Sequence, residues 1–424
     1  MSKVHPNEMT CVIIGASHAG VNLAFSLRKE NWQGRIILFD KDPNLPYHRP
    51  PLSKALLKTP DESLSAFYLK PSESYKKANI DLQLGIEVLS IDRDQKLVRL
   101  KDGKAQHYDK LVLATGARPF IPPIEGIRKA KHVFTIRWAQ DSLLLKKQLQ
   151  KKPGSRVVII GAGYIGLETA AALCELGAKV LVLERDNRVL ARVTTPQLSG
   201  FFQGLHTQHG VQIFPNKNVV SIDTSGAVDR VLCKDGSTYE ADLIIVGVGV
   251  QVNKELAEAA GIAVEDGILV DSTTQTNIPD IYAVGDCTLH FNPHYQRKIR
   301  LESVQNAVDQ AKVSAANICG QAISYDAIPW FWSDQYDVKL QMVGLSNGYD
   351  QAILRKELDK ERCFSIWYFK AGQLVAVDAV NHPKAYVLGT KFIKSGQKIS
   401  LTNLADPEQV LHPSNLIDST DQNV

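Results

Sequence analysis

The stretch that decides the fold is Val157-Val158-Ile159-Ile160-Gly161-Ala162-Gly163-Tyr164-Ile165-Gly166, followed by a helical stretch to Glu175 and a second apolar segment, Lys179 to Leu183, that ends in Glu184. Four β-branched residues in a row read as a strand buried on both faces. The three glycines then have separate tasks. Gly161 makes the tight turn, Gly163 lets backbone approach a pyrophosphate, and Gly166 lets the helix pack closely on the strand. The helix N-terminus faces the phosphate charge. The acid closing the second strand takes a ribose hydroxyl pair.

One such motif is weak evidence, because a plain glycine-rich turn between strand and helix looks the same. Here the order occurs twice. Cys11-Val12-Ile13-Ile14 leads into Gly15-Ala16-Ser17-His18-Ala19-Gly20, a helix-period stretch from Val21 to Asn31, and a strand from Arg35 to Phe39 ending in Asp40-Lys41-Asp42. Ser17 departs from the pattern, standing where the second glycine is expected. Two sites in one chain imply two nucleotides. The economical assignment is FAD at Gly15, Ser17, His18, Ala19, Gly20, Lys41 and Asp42. A nicotinamide dinucleotide then falls to Gly161, Gly163, Tyr164, Ile165, Gly166, Glu184 and Arg185, with Gly247, Val248 and Gly249 further on. Glu184 suits NAD, since a 2′-phosphate would meet a like charge, whereas Arg185 and Arg188 are cations able to accept one.

Two more segments fit this scheme. Leu111-Val112-Leu113 ends in Ala114-Thr115-Gly116-Ala117-Arg118-Pro119, and Ile281-Tyr282-Ala283-Val284 ends in Gly285-Asp286-Cys287, where Asp286 can accept a bond from a ribityl hydroxyl. Taken alone, each is an ordinary strand terminus.

Composition narrows the class. With 44% hydrophobic and 22% charged residues, the 424-residue chain is globular and long enough for about three domains. A net charge of +4 is too small a bias for nucleic acid, but it allows a basic docking face. The six cysteines have neither Cys-x-x-Cys nor Cys-x4-Cys spacing, which excludes a thioredoxin-type pair, a zinc ribbon and a ferredoxin-like cluster run. Cys287, His290 and His294 are spaced like metal ligands, but Asn292-Pro293 breaks any helix that would align them, and no metal is expected. Met1 to Thr10 lacks an apolar signal core, and Leu243 to Val250 is far short of a membrane span. A cytoplasmic protein is expected, with no membrane or nucleic-acid partner.

The chain resembles the two-dinucleotide flavoproteins of glutathione-reductase type and, within them, the ferredoxin reductases of bacterial oxygenase systems. The resemblance rests on the features above and on three blocks: Pro46-Tyr47-His48-Arg49-Pro50-Pro51-Leu52-Ser53-Lys54, Arg300-Leu301-Glu302-Ser303-Val304-Gln305-Asn306-Ala307 and Pro329-Trp330-Phe331-Trp332-Ser333-Asp334-Gln335-Tyr336. It runs from about residue 10 to about residue 385. It implies an α/β protein with two Rossmann-like dinucleotide-binding domains and a C-terminal α/β domain. The FAD domain would span 1–114 and 248–327, the NAD domain 115–247 and the C-terminal domain 328–424.

The resemblance also implies roles. Lys54 lies beside the flavin N5 edge, paired with Glu168, on a segment that the prolines hold extended. Arg49, Pro50 and Arg137 reach the FAD, and Val88 offers a backbone contact to adenine. Ala114, Thr115, Gly116, Gly285, Asp286, Glu302, Ser303, Val304 and Trp330 complete the flavin set. Taken by themselves, Lys54 is a surface lysine, Glu168 a first-turn acid favoured by the helix dipole and Arg137 a solvated helix residue, while the Trp330–Trp332 pair suits both domain-interface core and a lid over the flavin.

The implied activity is NADH:ferredoxin reduction through FAD. The partner is a [2Fe–2S] ferredoxin that feeds a cytochrome P450 or a Rieske-type oxygenase, and the enzyme is a monomer or weak homodimer. A rubredoxin reductase is an alternative. So is an NADH-sensing flavoprotein module resembling apoptosis-inducing factor. A dithiol reductase or NADH peroxidase needs cysteine near the flavin, and Pro50 to Leu57 has none. Val304, Val308 and Lys312 share one helix face, which makes Lys312, with Lys339, a candidate cation at the ferredoxin-docking rim.

Overall fold

The computed structural model describes residues 8–59, 63–358 and 360–417. Residues 1–7, part of the segment searched for a signal, lie outside it. The chain divides into two compact units, one of residues 1–48, 63–118 and 250–329, the other of residues 49–62, 119–249 and 330–424. Among the described residues no helix is long and apolar enough to cross a membrane.

In the first unit a five-stranded parallel sheet runs in the order Ile281–Ala283, Lys110–Leu113, Thr10–Ile14, Arg35–Asp40, Ile80–Leu84. Its central strand is buried along its whole length, as four consecutive apolar residues require. The helix His18–Lys29 packs on Val304–Ile318. Leu23 and Leu27 of one and Ala307, Ala311 and Ala315 of the other, spaced four apart, share one core. The first helix starts earlier than the expected Val21, because the glycine-rich turn is tight enough for His18 to be helical already. It stops at Lys29, and Asn31 takes a left-handed φ of 62°.

The second unit holds a matching five-stranded parallel sheet, in the order Gln212–Phe214, Lys179–Leu183, Arg156–Ile160, Leu243–Val246, Val133–Phe134. It also holds an antiparallel sheet, Trp330–Gln335, Val338–Gly344, Gln373–Val380, Phe364–Lys370, Gln351–Lys356, covered by the helix Pro383–Ser395. The C-terminal part is thus α/β with antiparallel strands, and its order extends past residue 385 through helices Leu401–Ala405 and Pro413–Leu416.

The segment with the prolines is not extended. Pro50–Ser53 forms a 3-10 turn, with Leu52 N–H bonded to Arg49 O at 3.0 Å and Lys54 N–H to Pro51 O at 3.0 Å. Proline fixes φ near −65° and lacks an N–H, so a pair of prolines suits the first turn of a helix as well as it suits a strand.

Candidate active site

The two glycine loops are built alike to the level of single hydrogen bonds. In the first, Gly15 N–H bonds Phe39 O at 2.8 Å, and Ala16 N–H donates to the Asp40 carboxylate at 2.6 Å. In the second, Gly161 N–H bonds Leu183 O at 2.8 Å, and Ala162 N–H donates to Glu184 at 2.6 Å. The other oxygen of each acid accepts the N–H two residues on, Asp42 or Asp186, at 2.8 Å. Each carboxylate thereby keeps a lone pair on both oxygens for an incoming hydroxyl. The acid that reaches the first loop is Asp40. Asp42, expected at the cofactor, turns instead to Asn44 and to the Tyr47 hydroxyl, 2.9 Å away. Lys41 is exposed.

Close approach explains the glycines. Gly15 and Gly161 have φ of 108° and 102°, and a Cβ there would lie 2.2 Å from Ala114 O and 2.5 Å from Gly247 O. A Cβ on Gly20 or Gly166 would strike the carbonyl of Gly15 or Gly161 at 1.9 and 2.2 Å. Gly163 differs, since a Cβ there meets nothing within 4 Å. Ser17, at the equivalent place of the first copy, carries a side chain there, so the two loops differ in how closely backbone at this position can approach a ligand. Neither helix carries an acid in its first turn, which leaves both N-termini electropositive. These loops fit dinucleotide pyrophosphates.

In the first unit some of the residues expected at the flavin lie beside the first loop. Ala114 sits on Gly15, and Gly285 is so close to Ala19 that a Cβ would be 3.0 Å from the Ala19 methyl. Thr115 and Gly116 are fixed by Asn253, through Thr115 Oγ1 to Asn253 O at 2.6 Å and Asn253 N–H to Gly116 O at 3.0 Å. Gly285 N–H is held by Gln310 Oε1 at 2.8 Å, and Asp286 follows half-buried. Ser303 caps Val304–Ile318 by accepting from Asn306 N–H, Glu302 pairs with Arg300, and Val304 is half-buried. Val88 begins the strand Val88–Asp92. His18 Nε2 faces His48 Nδ1 at 3.3 Å, which adds His48 to the residues around the first loop, and burial lowers the His48 pKa.

In the second unit Arg49 and Arg137 meet. The Arg49 guanidinium donates to Arg137 O at 2.6 Å and lies 4.8 Å from the Trp138 ring centroid. Arg137 is not helical; it lies in the turn before Ala139–Lys151, where Asp141 accepts its N–H. Around the second loop, Gly161, Gly166, Gly247 and Val248 are in mutual contact, and Gly249 has a φ of 121° with open space beyond it. Tyr164 packs on Phe331 and donates to Met342 Sδ at 2.8 Å, while Ile165 is exposed. Arg188 is committed elsewhere. It donates to Ser199 Oγ at 2.6 Å and Ala191 O at 2.8 Å, so of the two candidate phosphate cations only Arg185 stays on the surface. Trp330 is 37% exposed, with the Trp332 ring tilted against it at 5.6 Å and Tyr386 edge-on at 6.2 Å, and is not core.

The expected pair Lys54 and Glu168 is formed, with Nζ 2.9 Å from Oε1. Glu168 is the fifth residue of its helix and only 4% exposed, so it is not a first-turn dipole acid. Ser53 Oγ donates to Oε2 at 2.8 Å and Ser333 Oγ to Oε1 at 2.7 Å. Burial pushes the Glu168 carboxyl above its ordinary pKa, and Lys54, Ser333 and Ser53 pull against it. Lys54 is 18% exposed and also lies 3.4 Å from Asp334. All six cysteines are free thiols. Cys287 bonds the carbonyls of Leu113 and Val284, His290 meets Gln310, and His294 meets Asp326 O.

Residues 9–311 match the pyridine nucleotide-disulphide oxidoreductase family, and residues 330–414 match the reductase C-terminal family. The chain is 44% identical to putidaredoxin reductase CamA of Pseudomonas putida over 88% of both chains. It is 37% identical to a rubredoxin-NAD(+) reductase of the same species, over 89% of this chain and 97% of that one. The solved covalent putidaredoxin reductase–putidaredoxin complex superposes with a TM-score of 0.90 at 40% identity, covering 95% of this chain and 97% of that one. The chain belongs to the pyridine nucleotide-disulphide oxidoreductase family, as a flavoprotein oxidoreductase of the ferredoxin-reductase kind that uses FAD and a nicotinamide dinucleotide.

Proposed function

We propose that the chain oxidises NADH and delivers the electrons one at a time to a [2Fe–2S] ferredoxin serving a cytochrome P450 or Rieske-type oxygenase. The observation that carries this is the doubled glycine loop, each copy with its strand-end acid seated on the loop. Bound FAD supplies the conversion of a two-electron donor into one-electron deliveries. Gly15, Ser17, Asp40 and the start of His18–Lys29 would hold it, with Thr115, Gly285 and Asp286 from the neighbouring strands. Gly161, Gly163, Glu184 and the start of Tyr164–Glu175 would hold NADH. Catalysis by such residues is mostly orientation and local charge. Lys54 supplies a cation held in place by Glu168, and the segment Pro50 to Leu57 carries no cysteine with which to reduce a disulfide. Mixing the NADH-reduced enzyme with ferredoxin and cytochrome c tests the reading, since cytochrome c reduction should depend on ferredoxin. The likeness to a rubredoxin reductase keeps rubredoxin as the second acceptor to assay.

NADH should be preferred to NADPH. Glu184 would repel a 2′-phosphate, and Arg188 is occupied. Glu184→Ala should narrow the preference by about 1–2 kcal/mol in kcat/KM. A wild-type enzyme that prefers NADPH would remove Glu184 from this role and point to Arg185.

Docking is expected over the face of Val304–Ile318 that carries Val304, Val308 and Lys312, of which Lys312 is 62% exposed. Lys312 is paired with Asp309 at 3.2 Å, so its charge is partly spent within the helix. Lys312→Glu should raise the ferredoxin KM several-fold, by about 1 kcal/mol, and alter its salt dependence. NADH–ferricyanide activity should stay near wild type, and an equal loss of both would mean damage to the flavin site instead.

A further inference from the structure

A run of buried polar side chains leads away from Glu168. Ser333 Oγ, which donates to Glu168, accepts from Gln335 Nε2 at 3.2 Å. Gln335 Oε1 faces His206 Nε2 at 2.8 Å, and His206 Nδ1 faces the Tyr336 hydroxyl at 3.4 Å. Ser333, Gln335 and His206 are wholly buried. Three buried polar groups in series are costly unless each donor meets an acceptor. Here the directions follow from chemistry. The Gln335 carbonyl can only accept, so His206 carries its proton on Nε2. The Gln335 amide then donates to Ser333, and the Ser333 hydroxyl proton is left for Glu168. Ser333 and Gln335 alternate along Trp330–Gln335 and so share one face of the strand.

We propose that His206, Gln335 and Ser333 form a positioning relay that aims a hydroxyl proton at Glu168 and so holds it as the anion facing Lys54. The relay makes the first strand of the C-terminal sheet part of the machinery for the NADH half-reaction. It rests on the reading of Lys54 and Glu168 as residues of that half-reaction.

The charge environment agrees. Asp334, on the strand Trp330–Gln335, meets Lys54, and Tyr164 on the helix of Glu168 is buried within reach of its charge. Lys58, on the helix Ala55–Lys58, is paired with Glu175. The strands beneath the helix bring only apolar side chains over 157–160 and 180–183. Burial lowers the His206 pKa to about 4, so the relay does not itself ionise in the neutral range.

The test uses Ser333→Ala, Ser333→Thr, Gln335→Leu and the double variant Ser333→Ala/Gln335→Leu, all as FAD-loaded enzyme. The first readout is the pH profile of flavin reduction by NADH in anaerobic stopped flow. Loss of a hydrogen bond to a charged group should move the acid limb of Ser333→Ala up by about one pH unit. Ser333→Thr should restore it. Gln335→Leu should move it the same way by less, and the double variant should match Ser333→Ala, because Gln335 acts only through Ser333.

The second readout needs neither NADH nor an acceptor. The folded-state pKa of Glu168 is raised, so its stabilising contribution is present when it is protonated at low pH and is lost as pH rises through that pKa. Ser333→Ala raises the pKa further, so its Tm deficit against wild type should widen from about pH 5 to about pH 8. In a Glu168→Gln background the deficit should not change with pH. An unmoved acid limb, additive effects in the double variant, or a pH-independent deficit would each overturn the relay. A deficit of Ser333→Ala that widens with pH, while NADH fails to reduce even the wild-type enzyme, would support the relay and sink the functional reading instead.

Discussion

Lys54→Met should slow the reduction of bound FAD by NADH by about 100-fold while FAD content stays within about twofold of wild type. The size follows from where the charge sits. Lys54 is mostly buried against an almost fully buried carboxylate, so its field is not screened as a surface lysine's would be. Methionine keeps the length of the side chain and removes only the cation. Glu168 then loses its closest positive partner, and its pKa, already raised by burial, rises further. Removing one member of a buried pair costs about 3–5 kcal/mol unless the survivor takes up a proton. Lys54→Met should therefore also be less stable at pH 8 than at pH 5, and Glu168→Gln in the same chain should recover part of the loss. Anaerobic stopped flow with NADH, alongside the flavin-to-protein ratio, checks both parts. Unchanged reduction kinetics would return Lys54 and Glu168 to a purely structural role.

Gly163→Ala should weaken NADH binding by at least about tenfold without lowering Tm. The protein has room for the methyl group, because nothing lies within 4 Å of it. If that room belongs to the dinucleotide pyrophosphate, the methyl takes space from the ligand alone. Gly166→Ala is the contrasting variant. Its Cβ would meet Gly161 O at 2.2 Å, forcing helix and strand apart, so both stability and binding should fall. Titration of each variant with NADH, with Tm measured alongside, separates the two effects. Undiminished NADH affinity in Gly163→Ala would place the nucleotide elsewhere.

What was legible in the sequence was local. The two strand–glycine–helix–strand–acid units could be read because every part lies within about 25 residues, and each part answers to one steric or electrostatic demand. A local reading failed where two local rules agree with the same residues. Pro50-Pro51 suits both an extended segment and a first helical turn, and only the carbonyls of Arg49 and Pro51 decide for the turn. The strand-end acid 25 residues after Gly15 is Asp40, and it is the carboxylate seated on the Ala16 N–H.

The rest was long-range. Glu168 owes its burial and its donors to Ser53 and Ser333, 115 and 165 residues away. Arg188 looked free for a phosphate because its bond to Ser199 depends on how the helix Pro196–Gln208 returns to the loop. Gln335 lies in one of the blocks that carry the resemblance, but its partner His206 is 129 residues away and carries no motif, so only the fold joins them.

The most direct test of the account is a double-mixing anaerobic experiment. The FAD-loaded enzyme is first reduced with one equivalent of NADH and then mixed with an excess of oxidised [2Fe–2S] ferredoxin, while flavin and cluster absorbance are followed together. Electron balance predicts bleaching of the flavin by the single equivalent of NADH, then reoxidation with two ferredoxins reduced per NADH consumed. A reduced enzyme that persists as a long-lived charge-transfer complex with NAD⁺ and leaves the ferredoxin oxidised would contradict the account and favour an NADH-sensing role.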